Sequence, residues 1–182
     1  MAAACSGSTE PDPTPIETSA EPSPTETPEP SPTETGPVKP ERPTAMDRDD
    51  AEGAAAAAEY FLELYPYIMT SSDTAEWEAM SHQECGYCSE SLANARWLSD
   101  SGSVFTGGET TVEILTSYAR DSQTGIFPLD VRTHQEPIEV SDATGQSVET
   151  VPRDTVELRI EMGRNTGSWV VVEVAPMPKD EG

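Results

Sequence analysis

Most of the side-chain chemistry open to this 182-residue chain rests on three cysteines and two histidines. Cys85-Gly86-Tyr87-Cys88 places two thiols within one helical turn, with His82 just upstream. A pair so spaced at a helix start can exchange disulfides, because the helix N-terminus stabilises a thiolate. It can also supply two zinc ligands, although a closed zinc site needs four. A third use is a structural disulfide that ties a loop to the helix after it. Reactive pairs normally follow a strand inside a βαβ unit, whereas the residues before Cys85 read as helix. A structural Cys85–Cys88 disulfide is therefore expected, with redox exchange, metal binding and free thiols left open.

Other constellations are less pointed. His134 alternates with Asp130 and Arg132 on one strand face. We read that face as solvated and paired across strands with Glu157, Arg159 and Glu161; a catalytic Asp–His pair is the alternative. No serine sits in a nucleophile elbow, and no phosphate loop or dinucleotide fingerprint occurs. No catalytic residue, cofactor or metal is assigned. Asp47-Arg48-Asp49-Asp50-Ala51-Glu52 lacks the glycine turn and spacing of a calcium loop, and suits the positive end of a helix dipole instead. Tyr60, Tyr65, Trp77 and Trp97 form the candidate pocket, although their helical spacing fits a core equally well.

The elements that must position these groups begin after a polar leader. Of 17 prolines, 11 lie in residues 1–45, and no aromatic residue precedes Tyr60. Residues 21–28 and 29–36 repeat Glu-Pro-Ser-Pro-Thr-Glu-Thr, ending in Pro28 and Gly36. Such a segment cannot offset the entropy of ordering its backbone. It is expected to be a disordered stalk (residues 1–45), extended in polyproline II at about 3.1 Å per residue. The net charge is −24, of which the leader carries −6 and the rest −18. A field of that sign repels phosphate backbones, so nucleic acid is not an expected partner.

Residues 47–69 are predicted helical, with Ala54, Ala57, Ala58, Phe61, Leu64, Tyr65 and Ile68 on a buried face. Pro66 is expected to kink or end that helix. A short helix capped by Asp73, with Glu76 completing a capping box, should follow. A third should run from Gly86 to Ser99. Beyond Gly108 the period becomes two: Val112–Tyr118, Phe127–Thr133, Val156–Met162 and Val170–Val174 read as strands, the last pair joined by a Gly163–Gly167 hairpin loop. In the last strand Val170, Val172 and Val174 should share one face, opposite Trp169 and Val171. Helices followed by an antiparallel meander make an α+β domain over residues 46–176, with a disordered tail at 177–182.

Two resemblances sharpen this reading. Ala2-Ala3-Ala4-Cys5-Ser6-Gly7-Ser8 is similar to the processing site of a bacterial lipoprotein. That likeness implies a lipid on Cys5, a membrane anchor and an extracytoplasmic address, with the apolar leader expected upstream of Met1. Glu59-Tyr60-Phe61-Leu62-Glu63-Leu64-Tyr65-Pro66-Tyr67, Ser72-Asp73-Thr74-Ala75-Glu76-Trp77 and Cys85-Gly86-Tyr87-Cys88 together resemble an uncharacterised family of actinobacterial lipoproteins. The element order resembles the nuclear transport factor 2-like (SnoaL-like, cystatin-like) cone, in which helices pack on a curved antiparallel sheet. The family implies no known reaction. A surface-anchored, non-enzymatic domain that binds an envelope protein or small ligand is the leading expectation. A SnoaL-like pocket enzyme of isomerase, cyclase or hydrolase type is the first alternative. A structural accessory subunit of an envelope complex is the second.

Overall fold

Asp50 starts the first helix. Its carboxylate accepts the backbone N–H of Glu52 and Gly53 at 3.1 Å and is gripped by Arg48, as a cap at the positive end of a helix should be. The computed structural model describes residues 38–177; Cys5, the stalk repeats and the tail from Pro178 lie outside the described residues.

Helix α1 (Ala51–Ser71) is long and continues past Pro66, so the proline does not end it. Proline removes only one helical donor, the one that would reach Leu62 O. The turn beyond it is held by the Thr70 and Ser71 hydroxyls, which donate to Pro66 O and Tyr67 O at 2.7 Å. Ending at Tyr65 would also expose the buried side chains of Ile68 and Met69, a loss of about 1.5–3 kcal/mol each. The helix stops where Ser72 turns left-handed, at φ 59°.

Helix α2 (Ala75–Met80) begins at Thr74, which provides no side-chain cap. Only the aspartate half of the expected capping box forms: one Asp73 oxygen accepts the Ala75 N–H at 3.4 Å and the other takes the Tyr67 hydroxyl at 2.9 Å, whereas Glu76 turns away to Lys39 and Tyr60. Trp77 and Met80 face inward as read. Helix α3 (Gly86–Ser101) ends at Gly102, φ 67°.

The sheet is a meander whose first strands are bent in the middle. Strands β1 (Val104–Gly107) and β2 (Thr110–Ser117) are one run broken at Gly108-Glu109. Strands β3 (Phe127–Gln135) and β4 (Ile138–Ser141) break at Glu136-Pro137, and β5 (Ser147–Val151) and β6 (Asp154–Asn165) at Pro152-Arg153. The lower halves and β7 (Ser168–Pro176) pair antiparallel in the order β2-β3-β6-β7, and the upper halves pair as β1-β4-β5. The corner residues explain the bend: proline cannot donate to the ladder. At Gly107, φ 77°, a Cβ would meet Pro137 O at 2.1 Å.

Two details of the strands differ from the reading. The hairpin loop is only Thr166-Gly167, with φ 47° and 88°, so Gly163 lies inside β6. A bulge on β7, with Val172 as the extra residue opposite Glu161-Met162 of β6, pairs Ile160 with Val174 but Met162 with Val171. That shift puts Val174 on the face of Val171, because one extra residue reverses the alternation.

The core lies between α1 and the meander: Phe61, Leu64, Ile68, Trp77, Leu129, Val131, Ile160 and Met162 are fully or almost fully buried. Residues ahead of Met46 already belong to this unit. Lys39 pairs with Glu76, Met46 is buried, and the Trp169 indole donates to Met46 O at 2.9 Å. No helix among the described residues is long and apolar enough to cross a membrane.

Candidate functional site

The bent-over strands create a groove that the lower sheet does not have. Helix α1 contributes Tyr65 and Met69, α3 contributes Trp97, and β1, β4 and β5 contribute Phe105, Val140 and Glu149; the space is about 250 Å³. Cross-strand partners explain the wall. Phe105 lies opposite Val140, and Val140 opposite Glu149, so the three side chains stand in one row on one face. Tyr65 meets Phe105 edge to face at 6.3 Å between centroids. Trp97 forms the outer lip and is 54% exposed.

On the other side of Tyr65, between the helices and the lower sheet, the structure leaves about 80 Å³, bordered by Leu62, Tyr87, Thr133, Gln135 and Asp154. That is the gap a cone fold offers as a pocket. It is about a third the size of the groove. Burial raises the pKa of the Tyr87 hydroxyl that helps close it. Burial likewise raises that of Tyr65, and the charge of Glu149 adds to the effect.

The four aromatics read as one pocket are separated. Trp77 is fully buried, stacked on Phe61 at 3.9 Å, with its indole N–H on Cys88 O at 3.0 Å. Tyr60 is buried too; burial raises its pKa, and so does its hydrogen bond to Glu76. Both are core. Burial opposes ionisation of Glu76, but Lys39 and the Tyr60 hydroxyl outweigh it and hold its carboxyl below the usual range. Only Tyr65 and Trp97 line the groove. Helical spacing cannot separate these cases, since all four positions follow apolar stripes.

Cys85 and Cys88 form a disulfide, and both are buried. The Cys85 sulfur also accepts the Cys88 N–H at 3.2 Å, capping α3. His82 pins this loop to the sheet: its N–H donates to Val171 O at 2.9 Å, and its Nδ1 accepts the Glu84 N–H at 3.3 Å. His134 touches Thr155 at 3.0 Å. Among the described residues no group of three or more metal-ligating side chains occurs.

The outer sheet face is partly as read. Arg132 pairs with Glu157 and Glu113, both at 2.7 Å. Asp130, however, is not solvated; it is 4% exposed. Arg159 holds it through two bonds of 2.8 and 3.0 Å, and the Tyr118 hydroxyl donates to it at 2.7 Å. Tyr118, just past the end of β2, and Arg159, in the middle of β6, reach Asp130 from the two strands that flank β3 and stack, with the guanidinium 5.1 Å from the ring centroid.

Phe105, Val140 and Glu149 escaped the sequence reading. Phe105 stands between Gly102 and Gly107, which read as breakers. Ile138-Glu139-Val140 and Val148-Glu149-Thr150-Val151 alternate but are short. The signal that finds them is the turn between. Asp142 Oδ1 accepts Thr144 and Gln146 N–H at 2.8 and 3.0 Å, and Gly145 sits at φ 83°. Asp-x-Thr-Gly between alternating runs is hairpin chemistry.

Solved structures resemble this fold. The intermembrane space region of the chloroplast protein ARC6 is 13% identical, with 71% of this chain and 97% of that one covered, at a TM-score of 0.55. An uncharacterised protein with a cystatin-like fold from Caulobacter vibrioides is 13% identical over 70% and 92%, at 0.39. A nuclear transport factor 2-like superfamily protein from Salmonella enterica serovar Typhimurium is 12% identical over 71% and 97%, at 0.40. At these identities the likeness concerns fold alone, and the fold is the expected one, helices on antiparallel sheet. No curated protein matches the sequence. The model of a family of unknown function, DUF6318, matches residues 29–175.

Proposed function

The chain belongs to the family of unknown function DUF6318, and within it we propose a lipid-anchored envelope protein whose domain binds a small ligand without transforming it. The observation that carries the binding half is the groove between α3 and the bent-over strands. It is open and lined by three aromatic rings, with polar and apolar surface in about equal measure, and it offers about 250 Å³ against about 80 Å³ in the cone gap. Small-molecule sites are concave and mostly apolar, with a few placed polar groups; here Asn94, Glu149 and the Tyr65 hydroxyl are those groups. Anchoring is supported by Cys5 and its small-residue flank. The Cys85–Cys88 disulfide favours an oxidising compartment.

Amide NMR of the full chain, titrated with a set of small aromatic and aliphatic fragments, tests the binding half. Shifts should cluster on Trp97, Phe105, Val140 and Glu149. Shifts confined to Thr133, Gln135 and Asp154, together with turnover of a fragment, would instead make the cone gap the working site. Intact-mass analysis of the protein extracted from its native membrane tests the anchor. A diacylglycerol-sized mass on the Cys5 peptide is expected, and an unmodified Cys5 thiol overturns it.

A further inference from the structure

One residue lining the groove is charged. Phe105, Val140 and Glu149 are neighbours in a single cross-strand row; the first two are buried, and the third is a carboxylate at the mouth. A row that only covered a core would carry an apolar residue at the third position. Glu149 takes part in no ion pair among the described residues, and no basic side chain lines the groove. The acids around the other large hollow, near Trp169, are different: Asp47 and Glu76 are paired with Arg42 and Lys39. Glu149 therefore presents a charge without a partner beside three aromatic rings, Tyr65, Trp97 and Phe105.

Ring faces and a carboxylate together favour one kind of guest. Aromatic faces attract cations through their quadrupole, and a carboxylate repels anions while penalising an apolar group that desolvates it. The rest of the chain reinforces the sign, since residues 46–182 carry a net charge of −18. We propose that the groove takes a small organic cation, an alkyl- or arylalkylammonium whose apolar body lies against Trp97 and Phe105 while its ammonium faces Glu149. This rests on the reading of the groove as the binding site and adds the class of its ligand.

Three probes of similar shape and different charge separate the two ideas: 2-phenylethylammonium, 2-phenylethanol and 3-phenylpropionate, titrated into the full chain by amide NMR and tryptophan fluorescence. The cation should bind about fivefold tighter than the alcohol, in keeping with an ion pair and a ring contact at an exposed site, and the carboxylate weakest. Glu149→Gln should reduce the cation's advantage to about twofold or less while leaving the alcohol's affinity in place, and Trp97→Ala should weaken all three. Equal binding of alcohol and cation, or an advantage that survives Glu149→Gln, overturns the cation proposal and leaves the groove standing. No shift at groove residues with any probe overturns the groove itself.

Discussion

On one side of Tyr65 the helices meet the lower sheet and leave about 80 Å³; on the other they meet the bent-over strands and leave about 250 Å³. On the closed side Trp77 is stacked and hydrogen-bonded; elsewhere Asp130, on the outer sheet face, is held by Arg159 and Tyr118, and Glu76, on α2, by Lys39 and Tyr60. The open side has an exposed Trp97 and an unpaired Glu149. The same two residue types, a tryptophan and an acid, thus serve stability in one place and remain available in the other. What separates them is the bend at Gly108, Pro137 and Pro152. It turns three strand halves out of the lower sheet and leaves a partly open groove between them, α1 and α3.

The largest contrast lies in the tryptophans. Trp77→Ala removes a fully buried ring and leaves Cys88 O without its donor. Cavity and transfer terms for such a change come to about 3–5 kcal/mol. Trp97→Ala, at the lip, should stay within about 0.5 kcal/mol. Urea midpoints of the two variants measure the difference. Comparable losses would mean that Trp97 is structural and the groove is part of the core.

The acids give the next step down. Arg159→Ala strands a buried Asp130 with only the Tyr118 hydroxyl, at a cost of about 3 kcal/mol. Glu149→Ala removes no partner and should be close to neutral. Thermal unfolding of the pair sharpens the comparison, and a strongly destabilised Glu149→Ala would reveal a contact that holds the groove wall. The disulfide follows. The cysteines are three residues apart, so the chain-entropy contribution is about 2 kcal/mol, at the low end of the usual range. Serine can still cap α3 at position 85. Cys85→Ser with Cys88→Ser should therefore weaken the domain by about that amount and leave a cooperative transition. Loss of folding would assign the pair a larger share of the closed side.

These contrasts track what was legible in the sequence. Long elements with one period, α1, α3, β3 and β6, could be read because many residues vote for the same face. Pro66 misled because the rule for an isolated helix ignores the buried side chains beyond it. Asp130 misled because alternation reports the face a residue points to, not whether Tyr118 and Arg159 close over that face. The groove was hardest to read. Its strands are four or five residues long, bracketed by glycines and prolines that read as loop, and its lip tryptophan has the same spacing as the core one. A ligand-facing acid in a β row carries no local signal. It stands out only once Phe105 and Val140 are seen beside it.

The smallest expected effect is on the acid limb of stability, and it tests whether paired and unpaired acids differ in energy as well as geometry. Glu76 in the folded domain is held below its ordinary value of 4.5 by Lys39 and Tyr60, against the opposing effect of burial. A carboxyl whose folded pKa is depressed stabilises the fold above its unfolded value and loses that contribution as pH falls through the folded one. Asp50 behaves likewise, its pKa lowered from 3.8 to about 2 by Arg48 and the backbone of Gly53. Wild-type urea midpoints should therefore begin to fall below pH 4.5 and continue downward toward pH 2 as Asp50 takes its proton. Glu76→Gln should flatten the first part of that descent and keep the second, because glutamine cannot titrate and Asp50 is untouched. The same descent in both proteins would mean that Lys39 and Tyr60 do not favour the Glu76 carboxylate in solution. The strap from Lys39 to Met46 would then rest on Met46 and the Trp169 hydrogen bond alone.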